Sequence, residues 1–287
     1  MKSKNSIQSP SKVGFWEKLM KIDRRWIYLA IGIVVFIPML VYLGFPIRVT
    51  KEVRSVYERI DSLPPGTVVM VPMEYDPATM AELQPLAYAV LRHCFSKDLK
   101  VITTSLQIEG VTIIKEDLEM IAAEYGKKYG IDYVFLGYKP YPGIVILNMG
   151  ENFRKPFPRD YYGNELDSLP MMKGVYNYSS CALILNINAT SGVDYWINYA
   201  NGRYKAPLAI GVTGVMVSDY YTFLSSGQIF GLIGGLKGAA EYEKLINHVD
   251  LACRAMDVQS IAHSVIVLFI VIGNIAFFAT KKRKKSI

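Results

Sequence analysis

The chain has 287 residues, a formal net charge of +7 and a 51% share of hydrophobic residues. The basic excess sits at the ends: residues 1–25 hold seven basic and two acidic groups and residues 281–287 hold five basic ones, leaving −3 for residues 26–280. No basic stripe is left on the middle of the chain, which excludes a nucleic-acid-binding surface, and three scattered cysteines exclude a zinc site or a dense disulfide framework.

In chain order, Lys2, Lys4, Lys12, Lys18, Lys21, Arg24 and Arg25 mark residues 1–25 as a basic N-terminal segment. Trp26 to Ile47 follows as 22 residues without a charge. A bilayer core of about 30 Å takes roughly 20 helical residues, so residues 26–47 are expected as a first transmembrane helix. Its charged lead is long and no small-residue cleavage site follows, which favours an uncleaved anchor over a signal peptide. Pro38 is expected to kink it.

Residues 48–257 are long enough for one domain with its own core. Thr67–Met73 reads as a first strand after the turn Pro64-Pro65-Gly66, and residues 79–94 as a helix with Pro85 inside it. Lys100–Ser105 reads as a second strand, and Ile114, Leu118, Ile121, Ala122 and Tyr125 mark a helix ending near Gly126 or Gly130. Asp132–Leu136 reads as a third strand, while Gly143–Leu147 fits either a strand or a helix start. Residues 150–180, rich in Pro, Tyr and charge, are expected as a long excursion with a short helix near 167–174. Ala182–Ile187 and Pro207–Val212 read as further strands around a helix at 192–203. Strands apolar on both faces, alternating with helices, predict a doubly wound, mostly parallel α/β sheet.

Within residues 225–243, Gly227, Gly231, Gly235 and Ala239 recur every four residues, with Gly234 and Gly238 beside them. In a helix each glycine costs up to about 1 kcal/mol relative to alanine, so close packing must offset it. Gly227, Gly231, Gly234, Gly235 and Gly238 are therefore candidate interface residues, the partner being another copy of the chain or the membrane surface. Packing on the domain's own sheet is the other reading. No breaker intervenes between Ala239 and Val258, so a helix is expected to run unbroken into the second apolar run. That run, Val258 to Thr280, is 23 uncharged residues and is expected as the second transmembrane helix, 258–280. Asn274 within it is expected to bond either another helix or a backbone carbonyl. His263 is expected at the membrane interface. Lys281, Lys282, Arg283, Lys284 and Lys285 close the chain as a basic tail. Basic flanks stay in the cytoplasm, so both tails are expected inside and the domain outside.

Catalytic signatures are missing: there is no nucleophile elbow, no H-E-x-x-H and no phosphate loop. The sequence therefore argues against an enzyme, and no cofactor or metal is expected. Any small-ligand site is expected beyond the carboxyl ends of the strands. The candidates there are Glu74, Asp76, Ser105, Tyr138, Lys139 and Thr213; Asp76-Pro77 equally fits a helix start.

Tyr125-Gly-Lys-Lys-Tyr-Gly130, Asp132–Lys139, Ser226-Gly-Gln228 and Gly234–Glu243 together resemble an uncharacterised family of membrane-anchored prokaryotic proteins, over roughly residues 64–246. The resemblance implies a Rossmann-like domain tied to the membrane and brings no established activity. The expected function is a membrane-anchored, non-enzymatic scaffold or binding subunit whose partners are the bilayer and further copies or other membrane proteins. The alternative is a membrane-tethered enzyme or small-ligand receptor. A deep polar pocket around Glu74, Asp76 and Lys139 favours the alternative, and a flat or obstructed strand end with an apolar patch along 225–240 favours the scaffold.

Overall fold

Seven short strands, each followed by or lying beside a helix, build a parallel sheet in the computed structural model, which describes residues 15–16 and 21–285. Lys2, Lys4, Lys12 and Lys18 lie outside the described residues, as do the side chains of Lys282, Arg283, Lys284 and Lys285. Contacts divide the chain into two units, Gly44–Met256 and a second made of Met1–Leu43 with Asp257–Ile287.

In the larger unit, β1 (Val68–Met70), β2 (Met73–Glu74), β3 (Lys100–Thr103), β4 (Tyr133–Phe135), β5 (Ile184–Asn188), β6 (Leu208–Val212) and β7 (Gly231–Gly234) form one sheet in the order β4-β3-β1-β5-β6-β7, with β2 on β5. Every ladder between these strands is parallel. Pro72 splits what is otherwise one central strand, because it has no N–H to give; its carbonyl still accepts from Ile187 N–H at 2.9 Å. Counting β1 and β2 as one interrupted strand gives the order 3-2-1-4-5-6, that of the doubly wound Rossmann-like sheets.

Alternate strand residues face opposite ways, so both sheet faces are apolar. Val69, Val101, Leu185 and Ala209 pack with α2 (Lys51–Asp61), α3 (Met80–Ser96), α4 (Val111–Glu124) and α8 (Gly235–Leu245) on one side. Met70, Ile102, Val134, Ile184 and Ile210 pack on the other with α5 (Pro142–Glu151), α6 (Val193–Tyr195, continuing as a π-helix over Trp196–Arg203), α7 (Val217–Ser225) and the excursion between α5 and β5. Both sheet edges are covered. Ser55 of α2 donates to Phe230 O at 2.9 Å beside β7, and Tyr161 N–H donates to Phe135 O at 3.0 Å beside β4.

The expected strands and helices fall where the pattern placed them, with three additions: α2, α7 and β7. Gly143–Leu147 is helical, and the short helix near 167–174 is two 3-10 turns, Leu166–Ser168 and Pro170–Met172. Two expectations are corrected. The glycine stretch is not one helix: Gly231–Gly234 is a strand, and α8 starts at Gly235 in the left-handed region (φ 54°). Nor does α8 run on into the second apolar run. It ends at Leu245, Asn247 turns the chain at φ 53°, and a separate helix, α9 (Leu251–Lys285), begins.

Two buried glutamates of α8 meet the neighbouring helix starts. Glu241 accepts from Thr50 N–H at 2.8 Å and Thr50 Oγ1 at 2.6 Å, capping α2, and also pairs with Lys237. Glu243 accepts from the N–H groups of Asp250 (2.9 Å), Ala252 (2.8 Å) and Cys253 (2.9 Å), capping α9. Both use the donors that a helix start leaves free, and a negative charge suits that end of the helix dipole.

In the smaller unit, α1 (Arg24–Leu40) has 17 residues and covers the first apolar run only from Trp26 to Leu40, and the chain is extended from Val41. Gly44 (φ 71°) and Pro46 lie just beyond, unsuited to prolonging a helix. One helix among the described residues is long and apolar enough to cross a membrane: Leu251–Lys281, 31 residues, within which an 18-residue stretch has a mean hydropathy of 2.4. The expectation of two such helices is corrected to one. Leu43 N–H donates to Asp257 Oδ2 at 3.0 Å. Asn274 Nδ2 donates to Ile270 O at 2.9 Å within its own helix.

Candidate functional site

The strand order reverses between β2 and β5, the place where open α/β sheets keep a crevice for a ligand. Glu74 ends β2 and pairs in register with Asn188, the last residue of β5. Asn186 lies two residues back on the same strand and therefore on the same face. The start of the π-helix brings Trp196 over both.

Together these side chains close on the Glu74 carboxyl group. Trp196 Nε1 donates to Oε1 at 2.7 Å, Asn186 Nδ2 to Oε1 at 3.3 Å, and Asn188 Nδ2 to Oε2 at 2.8 Å. Asn188 is itself fixed, because its Oδ1 accepts from Thr190 N–H at 2.7 Å and Thr190 Oγ1 at 2.9 Å. Glu74 is 2% exposed, and Asn186, Asn188 and Trp196 are fully buried. Burial raises the Glu74 pKa to about 7, against the opposing pull of its three donors, Trp196 first. No charged side chain joins them. The arrangement is a packed polar plug where a pocket would open.

The remaining candidates do not gather around it. Asp76 accepts from Ala78 and Thr79 N–H at 3.0 Å each and from Gln107 Nε2 at 3.0 Å, and these bonds, led by the Thr79 hydroxyl, lower its pKa. It therefore stabilises the turn before α3 and does not cap the helix as expected; the cap position is Thr79, three residues later. Ser105 is buried and donates to Gln107 O at 3.0 Å. Tyr138 and Lys139 line an open surface groove with Arg159, Asp160 and Tyr161. Thr213 is buried after β6, and the next residue, Gly214, donates its N–H to Glu82 at 2.8 Å. Among the described residues no ion pair joins Lys139 to Glu74 or Asp76.

The candidate interface glycines meet the domain itself. A Cβ on Gly231 would lie 2.2 Å from Val56 Cγ2, on Gly234 2.3 Å from Val217 Cγ2, on Gly235 2.8 Å from Gly214 N, and on Gly238 2.8 Å from Ile233 Cγ2. Gly227 is exposed in a left-handed turn with open space around it. Four of the five thus serve the packing of α2, α7 and α8 onto β7.

Asn186 and Trp196 escaped the reading of the sequence. The signal was the alternation Asn186-Ile-Asn188 in an otherwise apolar strand, which places two amides on one buried face. A second buried polar cluster lies in the helix layer. Asp117 accepts from Tyr75 OH (2.6 Å), Tyr88 OH (2.8 Å) and Gln84 Nε2 (2.8 Å), while Arg92 pairs with Glu124 (2.9 Å) and Asp250 (2.6 Å). Cys94, Cys181 and Cys253 are buried thiols.

The chain matches no family model and no curated protein. Among solved structures it is similar to a trehalose-6-phosphate synthase, OtsA, at 12% identity and a TM-score of 0.31, over 84% of this chain and 47% of that one. The chain thus spans about half the length of the structure it matches, and at this level of likeness neither activity nor substrate follows.

Proposed function

We propose that the protein is a membrane-anchored, non-enzymatic scaffold or binding subunit that presents its α/β domain to other membrane proteins or to further copies of itself. The observation that carries this reading is the obstructed strand end: Trp196, Asn186 and Asn188 occupy the crevice that a ligand would need. Anchoring is attributed to Leu251–Lys281, with the first apolar run as a second span. The apolar part of α1, Trp26–Leu40, rises about 22 Å, and local thinning of the bilayer would meet the shortfall against a core of about 30 Å. Basic flanks on both runs favour cytoplasmic tails and a domain on the far side.

A membrane-tethered enzyme or ligand receptor is the second reading, favoured by one feature: a buried carboxyl group with a pKa near neutrality at the switch point. Purification from the native membrane in gentle detergent separates the two. The scaffold reading expects a stable complex, either with other membrane proteins or of several copies. A solitary monomer that retains a small molecule instead overturns it.

A further inference from the structure

We propose that the groove beyond the carboxyl end of β4 binds a phosphate monoester, Lys139 and Arg159 holding the phosphate and the Tyr161 ring flanking the group attached to it. The groove lies on the carboxyl side of the sheet, where parallel α/β folds keep their ligands, and away from the plugged switch point. Its volume, about 480 Å³, falls within the roughly 300–1,000 Å³ of small-ligand sites. Two cations, Tyr138 and Tyr161 line it, and Asp160 is the one acid among them. That acid is already satisfied. Its Oδ1 accepts from the N–H groups of Tyr162 at 2.9 Å and Asn164 at 2.8 Å, and its Oδ2 from Tyr129 OH at 2.7 Å and Asn164 Nδ2 at 3.0 Å. With its lone pairs used in this way, Asp160 fixes the loop and does not compete for the cations.

Among the described residues Lys139 forms no ion pair, whereas Lys115 of α4 and Lys155 of the excursion pair with Glu119 and Glu151. Arg159 uses one N–H, on Glu165 at 2.6 Å, and both side chains of that pair are more than half exposed. Such an exposed pair contributes little, and the rest of the guanidinium fork stays open to a dianion. The walls are rigid. Gly137 stands at φ 87°, and a Cβ there would lie 3.3 Å from the Tyr161 ring. Gly137 O accepts from Thr104 Oγ1 at 2.8 Å and Ser105 N–H at 3.2 Å, and the Tyr161 ring packs 5.2 Å from that of Phe135. Residues 26–280 carry −3 overall, so two cations facing one groove do not follow from a basic domain. A phosphate monoester brings two negative charges and several acceptor oxygens to them, where a carboxylate brings one charge.

Phenyl phosphate is the probe. Its binding to the full chain is measured by calorimetry in phosphatidylglycerol nanodiscs and in phosphatidic acid nanodiscs of equal surface charge. One saturable site is expected in the first. Lys139→Ala and Arg159→Ala each weaken it about tenfold, Lys139→Arg retains most of it, and Glu165→Gln, which releases Arg159, strengthens it. All three side chains are exposed, so these variants leave the fold intact. Weaker binding in the phosphatidic acid discs identifies a lipid headgroup as the competing occupant, and equal binding identifies a soluble ester; both support the site. The basic tails also draw anions, so the variants decide. Binding unchanged in the Lys139→Ala, Arg159→Ala double variant would overturn the proposal, as would equal affinity for phenyl sulfate or no saturable binding in phosphatidylglycerol discs.

Discussion

Glu74 and His93 are two buried ionisable residues whose effects on stability oppose each other. The pKa of Glu74 is raised to about 7, so the folded state holds a proton that the unfolded chain has already lost. Its contribution, roughly 3 kcal/mol, is full below about pH 4.5 and is lost as pH rises through about 7. Glu74→Gln is expected to abolish that decline in urea unfolding measured between pH 5 and 8. His93 is wedged between Tyr242 OH, 2.9 Å from Nδ1, and Asp61, 3.5 Å from Nε2. Burial lowers its pKa, so its contribution is present above the ordinary imidazole value and is lost as pH falls. The sequence disclosed neither environment. Glu74 was legible as a strand-end acid, but its partners come from 112 and 122 residues away, and no local pattern carries such a pairing.

At the level of elements, α8 gives Glu241, Tyr242 and Glu243 three separate tasks. Tyr242 fills the core beside His93, while Glu241 and Glu243 each cap another helix. Adjacent residues of a helix are about 100° apart, so the two glutamates leave α8 on opposite sides. Glu243→Ala strands three N–H groups at a buried helix start. It is expected to cost about 2–4 kcal/mol and to show in hydrogen exchange as early opening of residues 250–253, with Glu243→Gln intermediate. The elements that eluded the sequence reading have physical reasons. β7 is Gly-Leu-Ile-Gly, four residues whose glycines mimic a helical stripe while in fact admitting Val56 and Val217. The charge of α2 masks Val53, Val56 and Ile60, which recur at helical spacing and are all buried.

For the whole molecule, alternation of apolar strands and helices was sufficient to indicate a parallel α/β sheet, since strands buried on both faces leave an unbroken apolar record. Strand order was not legible, because it depends on which strand leads the chain back across the first. The first apolar run shows the limit of composition: 22 uncharged residues satisfied the length rule, yet helix stops at Leu40, before Gly44 and Pro46. The proposed orientation has a direct check. Protease added to intact cells is expected to digest residues 48–257 and spare both basic tails. Trimmed tails with an untouched domain would reverse it.

The double capping by α8 has a mechanical corollary. Thr50 and Asp250 each lie six residues inside an end of the larger unit, Gly44–Met256, and both are fastened to side chains two residues apart. A tug on the two tails therefore loads five short hydrogen bonds to α8, with the Arg92–Asp250 ion pair beside them, before the strand ladders. Tension would loosen that helix while leaving the sheet, and the crevice within it, unloaded.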